Sequence, residues 1–70
     1  MTHLTLAEKA GKNLKNLIKN SKYRTQDKFA EAIYVDPSTV RRWIANGIRD
    51  LNLIEEIAEF FGIDFQELIH

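Results

Sequence analysis

Apolar residues recur along this chain at steps of three and four and nowhere keep a two-residue alternation, so the pattern predicts helices and no strands. From about Leu6 to Asn20, Leu14, Leu17 and Ile18 fall at helical spacing while lysines fill the remaining positions, the pattern of an amphipathic surface helix. Gly11 lies inside it and lowers helix propensity by about 1 kcal/mol relative to alanine. It either lets another backbone approach closely or is tolerated, and we expect tolerance. The stretch NSKYR then breaks the pattern.

Thr25 precedes QDKFAEAI, where its hydroxyl can accept from an orphan amide of the next turn and Asp27 sits favourably against the positive helix end. A short second helix is expected from about Gln26 to Ile33, with Phe29, Ala30 and Ile33 on its apolar face. Only a tight turn fits in YVD. Asp36 then offers an N-cap and Pro37 the first helical position, where a missing amide costs nothing. This third helix should run to about Ala45 or Asn46 and stop at Asn46-Gly47. Asp50 opens DLNLIEEIAEFFG, in which Leu51, Ile54, Ile57, Ala58 and Phe61 should form the buried face and Gly62 the stop. A last turn carries Asp64 and Glu67 in capping-box spacing. The expected fold is all-α, with about five short helices in a single domain spanning 1–70, and without repeats or low-complexity segments.

Seventy residues bury only roughly 60% of the unfolded surface, so the apolar side chains must serve one core and leave little room for an enclosed active site. Cysteine is absent, which excludes a disulfide framework and thiolate metal sites. There is no apolar run of about 18 residues and no apolar signal segment in the N-terminal stretch, so a cytoplasmic protein with no membrane partner is expected. The formal net charge of zero conceals a division. Through Arg49 there are ten basic residues against four acidic ones, a balance of +6, and from Asp50 onward the balance is −6. A binding surface responds to the local field rather than to the total.

Helical geometry at about 100° per residue puts Val40, Trp43 and Ile44 of the third helix on one face and Ser38, Arg41, Arg42 and Ala45 on the other. The apolar side must pack inward. The outward side offers a hydroxyl, two guanidiniums and a methyl, next to an N-terminal turn that is itself a source of free amides. Arginine's planar fork matches the O6/N7 acceptors of guanine, and the DNA major groove is about 12 Å wide, enough for one helix. For an isolated helix, two such arginines would by default form a solvated face with local carboxylate partners. Here a short helix, a turn of three or four residues and a second helix with an outward polar face form a helix-turn-helix arrangement over about 25–45, with the recognition helix at about 37–45. Pro37, Ser38, Arg41 and Arg42 are the candidates for reading bases in double-stranded DNA.

TQDKFAEAI resembles the Thr-Gln-x-x-Leu-Ala opening of phage-repressor/Cro-like (XRE-type) helix-turn-helix domains, DPSTVRRW resembles their recognition helix, and LIEEIAEFFGIDFQELI their closing helices. The resemblance covers about residues 10–69. It implies that Gln26 anchors to a phosphate, that Pro37, Ser38 and Arg42 face the groove, and that Thr39, Arg41 and Asn46 lie near the backbone or groove edge, which makes Thr25, Gln26, Thr39, Asn46 and Arg49 the candidates for contacting the DNA backbone. Two positions depart from the family pattern. Tyr34 stands where the turn usually carries a left-handed glycine, at a cost on the order of 1–2 kcal/mol unless the turn rearranges or Tyr34 gains by packing or by reaching a phosphate. Ile44 followed by Asn46-Gly47 replaces the family's Glu with Gly two residues later. The loop after the recognition helix is therefore expected to take its own path, which bears on any contact from Arg49.

Trp43 is expected to be half-buried rather than stacked on a base, and Tyr23 to be a solvated loop aromatic rather than a phosphate ligand. The first helix's lysines should solvate a face, with one or two near its end approaching DNA. His3 and His70 have no partner at ligand spacing, so no metal and no cofactor are expected. Ser21 and Ser38 lack a base, so no catalysis and no small-molecule substrate are expected either. The function this pattern implies is a sequence-specific DNA-binding regulator, a repressor, binding as a homodimer or as part of a longer regulator. Phe60, Phe65 and Ile69 are the candidate pairing surface, although −6 on each copy opposes it. The rival reading is an antirepressor-like protein-interaction module that keeps the fold without reading DNA. A complete small regulator and an excised DNA-binding head fit the chain equally.

Overall fold

The computed structural model describes residues 5–69, so His3 and His70 lie outside the described residues. Five helices follow in order, α1 (Leu6–Lys19), α2 (Gln26–Ala32), α3 (Pro37–Asn46), α4 (Leu51–Phe61) and α5 (Phe65–Ile69), with no strand among the described residues. Local chemistry sets their ends. The Thr25 and Asp36 side chains accept from the amides of Lys28 and Ser38, as their spacing predicts. Asp50 does the same for Asn52, and the Glu67 carboxylate accepts from the Asp64 amide ahead of α5. At α1 a full capping box joins Thr5 and Glu8, with the Glu8 amide donating to Thr5 Oγ1 and the Thr5 amide donating to Glu8 Oε1. The signal for it lies in TLAE, where Thr5 and Glu8 stand three residues apart.

The buried side chains form one cluster: Ala10, Leu14 and Ile18 of α1 meet Phe29, Ala30, Val40, Ile48, Ile54, Ile57, Ala58 and Leu68. α1 runs through the middle, packed on α3 and α5, while α2 rests chiefly on α3 and α4 on α5. Asn13 Nδ2 donates to the Leu68 carbonyl at 2.7 Å, which gives an orphan carbonyl at the end of α5 a partner on α1. Two expectations about burial need correction. Leu51 heads the apolar stripe of α4 but is 58% exposed, although Leu53 and Ile54 of the same turn pack on or in the cluster: helical side chains lean toward the N-terminus, and Leu51, the first residue, has no earlier turn to cover it. Tyr23 is half-buried instead of solvated, with its ring against Phe29 and Phe60 at centroid distances of 6.0 and 5.7 Å.

Gly11 is not merely tolerated. A Cβ there would run into the Trp43 carbonyl and lie 3.2 Å from Gly47 Cα, so the missing side chain is what allows α1 and the end of α3 to touch backbone to backbone. Gly47 completes the junction from the other side. Its φ of 96° and ψ of 167° fall in a region open essentially to glycine alone, and a Cβ on it would lie 2.7 Å from the Ala7 carbonyl. The chain then crosses α1, where the Ile48 amide donates to the Ala7 oxygen at 2.9 Å. This contact fixes the path of the loop after α3.

At the α2–α3 turn the family's geometry is kept without the family's glycine. Tyr34 adopts φ 61°, its amide donates to the Glu31 carbonyl, and the Val35 amide donates to that of Ala30, the paired bonds of a Schellman cap. The same two bonds close α4, from Gly62 to Glu59 and from Ile63 to Ala58. Tyr34 is 94% exposed, so packing within the chain does not offset its strain. Tyr34→Gly should therefore stabilise the fold by about 0.5–1 kcal/mol, the strain relief less glycine's added chain entropy. A melting temperature raised by a few degrees would bear this out, and a lowered one would mean that the ring stabilises the turn.

Candidate nucleic-acid interface

On α3 the buried and half-buried side chains, Val40, Trp43 and Ile44, fall on one side. Ser38, Arg41, Arg42, Ala45 and Asn46 are exposed opposite them, and Pro37 and Thr39 are half-buried at the margins. Ser38, Arg42 and Ala45 centre the outward face, and Arg41 lies toward its α2 edge. Trp43 packs against the core as expected. Asn46 is nine residues from Pro37, about 13 Å further along the helix axis.

The N-terminal turn of α3 differs from the expectation of free amides. Pro37 has none, the Ser38 amide donates to Asp36 Oδ1 at 2.9 Å, and the Thr39 amide donates to the Asp36 carbonyl at 2.9 Å. The capping residue has used the donors that an incoming phosphate would need. Ser38 Oγ also donates to Asp36 Oδ1 at 2.8 Å, which leaves its lone pairs as the free part of the group. These bonds, the Ser38 amide first and its hydroxyl second, hold the Asp36 carboxyl below its ordinary pKa and keep it charged.

A second surface opens where α1 ends and α2 begins. Lys15, Lys19, Arg24, Thr25, Gln26, Asp27 and Arg41 line an open concavity of about 380 Å³, which brings Thr25, Gln26 and Arg41 together. Arg24 enters it from a strained backbone with φ 62°, inside a turn closed by the Thr25 amide donating to the Tyr23 carbonyl at 2.7 Å. No residue pattern around Arg24 signals that conformation. Lys12 and Lys15 border Ile44, Ala45 and Gly47 in a neighbouring concavity. Lys12, Lys15 and Lys19, spaced i, i+3 and i+7, thus form a basic row beside α3 that joins the two surfaces. Arg49 is not part of it. It borders Thr5, Leu6, Glu8 and Leu51 at the opposite end of α1.

The arginines of α3 differ. Arg41 Nη2 donates to Asp27 Oδ1 at 2.6 Å, so for this residue the local carboxylate partner exists. Arg42 makes no ion pair or side-chain hydrogen bond among the described residues. No group of three or more potential metal ligands occurs among the described residues, and no helix there is long and apolar enough to cross a membrane.

A short α2, a tight turn and an α3 with an outward arginine face define a helix-turn-helix domain. A family profile described as helix-turn-helix matches residues 14–68, and the chain belongs to that XRE-type, Cro-like family of DNA-binding regulators. Comparisons with curated proteins and with solved structures gave no match.

Proposed function

We propose that the chain is a sequence-specific regulator of transcription that places α3 in the major groove of double-stranded DNA and acts as a repressor by occupying its site. The observation that carries this is the outward face of α3, where Arg42 stands exposed and unpaired between Ser38 and Ala45 with its guanidinium fork available to a base edge. Pro37, Ser38 and Arg41 share the base-reading role, Pro37 through apolar contact such as with a thymine methyl. Thr25 and Gln26 at the start of α2 fix register on phosphates, with Thr39, Asn46 and Arg49 as further backbone contacts and the Lys12–Lys15–Lys19 row adding field. No cofactor or catalytic step is needed.

Two copies bound to half-sites are compatible with the domain's size. Its extents of 35, 23 and 21 Å fit side by side along a duplex at a separation of about 34–36 Å, one helical turn. Phe60, Phe65 and Ile69 remain the proposed pairing surface. Phe65 and Ile69 are half-buried, and Phe60 is partly engaged by Tyr23, Phe29 and Phe61.

Arg42→Ala tests the reading. It should cost about 1–3 kcal/mol on the preferred duplex and relax the preference at one base pair. Titration against the preferred duplex and its single-base variants measures both. An equal loss on every sequence would assign Arg42 to phosphate and remove the base-reading claim.

A further inference from the structure

Arg41–Asp27 is the one ion pair among the described residues, in a chain with ten basic and ten acidic side chains. It joins α2 to α3, the two helices of the motif, on the surface proposed to meet DNA. Both side chains are open to water, at 57% and 64% exposure, so the pair contributes little to stability. Asp27 also lines the concavity that holds Lys15, Lys19 and Arg24, yet its carboxylate is bonded to Arg41. A carboxylate on a phosphate-binding surface weakens binding to every sequence alike. Its place in the first turn of α2 suits the positive helix end, but that does not account for its bond to Arg41 across the motif.

We propose that Asp27 is a positioning residue that sets specificity, and this rests on the DNA-binding reading above. By taking one donor of Arg41, Asp27 fixes the guanidinium at the α2 edge of the recognition face and neutralises it toward phosphates. The remaining donors stay available in one orientation, suited to a particular base edge. Without Asp27, Arg41 is a mobile cation beside Lys15, Lys19 and Arg24 and pairs with whichever phosphate is near. Asp27 thus lowers non-specific affinity more than cognate affinity, and discrimination is the ratio of the two.

The test is Asp27→Asn, alone and combined with Arg41→Gln, on the full chain after thermal melts show each variant folded. Binding is titrated against salt on two probes, a random-sequence duplex and the duplex most enriched from a random pool. Asp27→Asn alone should steepen the log–log salt slope on the random duplex by about 0.9, one added phosphate contact, which is about 3- to 4-fold in affinity between roughly 50 and 200 mM salt. The ratio of enriched to random binding should fall by about threefold or more. In the Arg41→Gln background the same substitution should strengthen binding to both probes alike, since a carboxylate has been removed, and leave the ratio nearly unchanged, because the guanidinium it would release is gone. A ratio that changes equally in both backgrounds, or in neither, would show that Asp27 acts by its charge and not through Arg41, and would overturn the proposal while leaving DNA binding intact. Wild-type protein that binds neither probe would defeat the DNA-binding reading and this proposal with it.

Discussion

Phe29→Ala is expected to remove a large part of the chain's folding stability. Phe29 is fully buried at the meeting point of α2 and α4, stacked on Phe61 at 5.3 Å and edge-on to Phe60 at 5.6 Å and to Tyr23 at 6.0 Å. Truncation removes the ring on which the other three converge, and the vacated space is bounded by helices that cannot collapse without breaking other contacts. Losses of this kind run to about 3–5 kcal/mol. A 70-residue domain has roughly 4–10 kcal/mol in all, so one substitution takes about a third of that margin or more. A thermal or urea melt followed by circular dichroism should show a midpoint lowered by more than about 12 °C or no cooperative transition. A shift of only a few degrees would mean that the aromatic cluster is not the centre of the core.

Gly11→Ala should also destabilise, against the direction helix propensity gives. In an ordinary exposed helix the change gains about 1 kcal/mol. Here the new methyl would meet the Trp43 and Ile44 carbonyls and Gly47 Cα, all backbone atoms that cannot rotate aside. α1 and α3 must separate, with an expected net loss of about 2–3 kcal/mol. The movement also shifts α3 against the lysine row of α1, so DNA affinity should fall at temperatures where the variant is still folded. A melting temperature equal to or above that of the wild type would contradict the close approach.

The helices were legible because their causes are local. Thr25, Asp36-Pro37, Asp50 and Gly62 mark ends by chemistry confined to a few residues, and the apolar spacing of Leu14, Ile18, Ile54, Ile57 and Ala58 identifies the inward faces. The Thr5–Glu8 box was equally local and could have been read. What sequence could not supply depends on where one helix lies relative to another. The role of Gly11 exists only because the end of α3 crosses it. Tyr23 is half-buried only because Phe29 and Phe60 lie against it, and Leu51 is exposed because it starts α4 with no earlier turn to cover it. The outward face of α3 followed from helical geometry, and exposure agrees with it residue by residue. The bond from Arg41 to Asp27, fourteen residues earlier in the chain, could not be foreseen from spacing along either helix. The occupied amides at the start of α3 lie between these cases, since an Asp36 cap that organises the turn also consumes its donors.

Selection from a random duplex pool at near-physiological salt, followed by sequencing of the retained molecules, shows whether this surface reads a DNA sequence. One enriched motif is expected, with a two-fold repeat whose half-sites lie about one helical turn apart, or a multiple of it, and loss of preference at one position when Arg42 is replaced by alanine. A folded wild-type protein that retains no sequence above the pool would contradict the DNA-reading role and leave the helix-turn-helix as a surface for binding another protein.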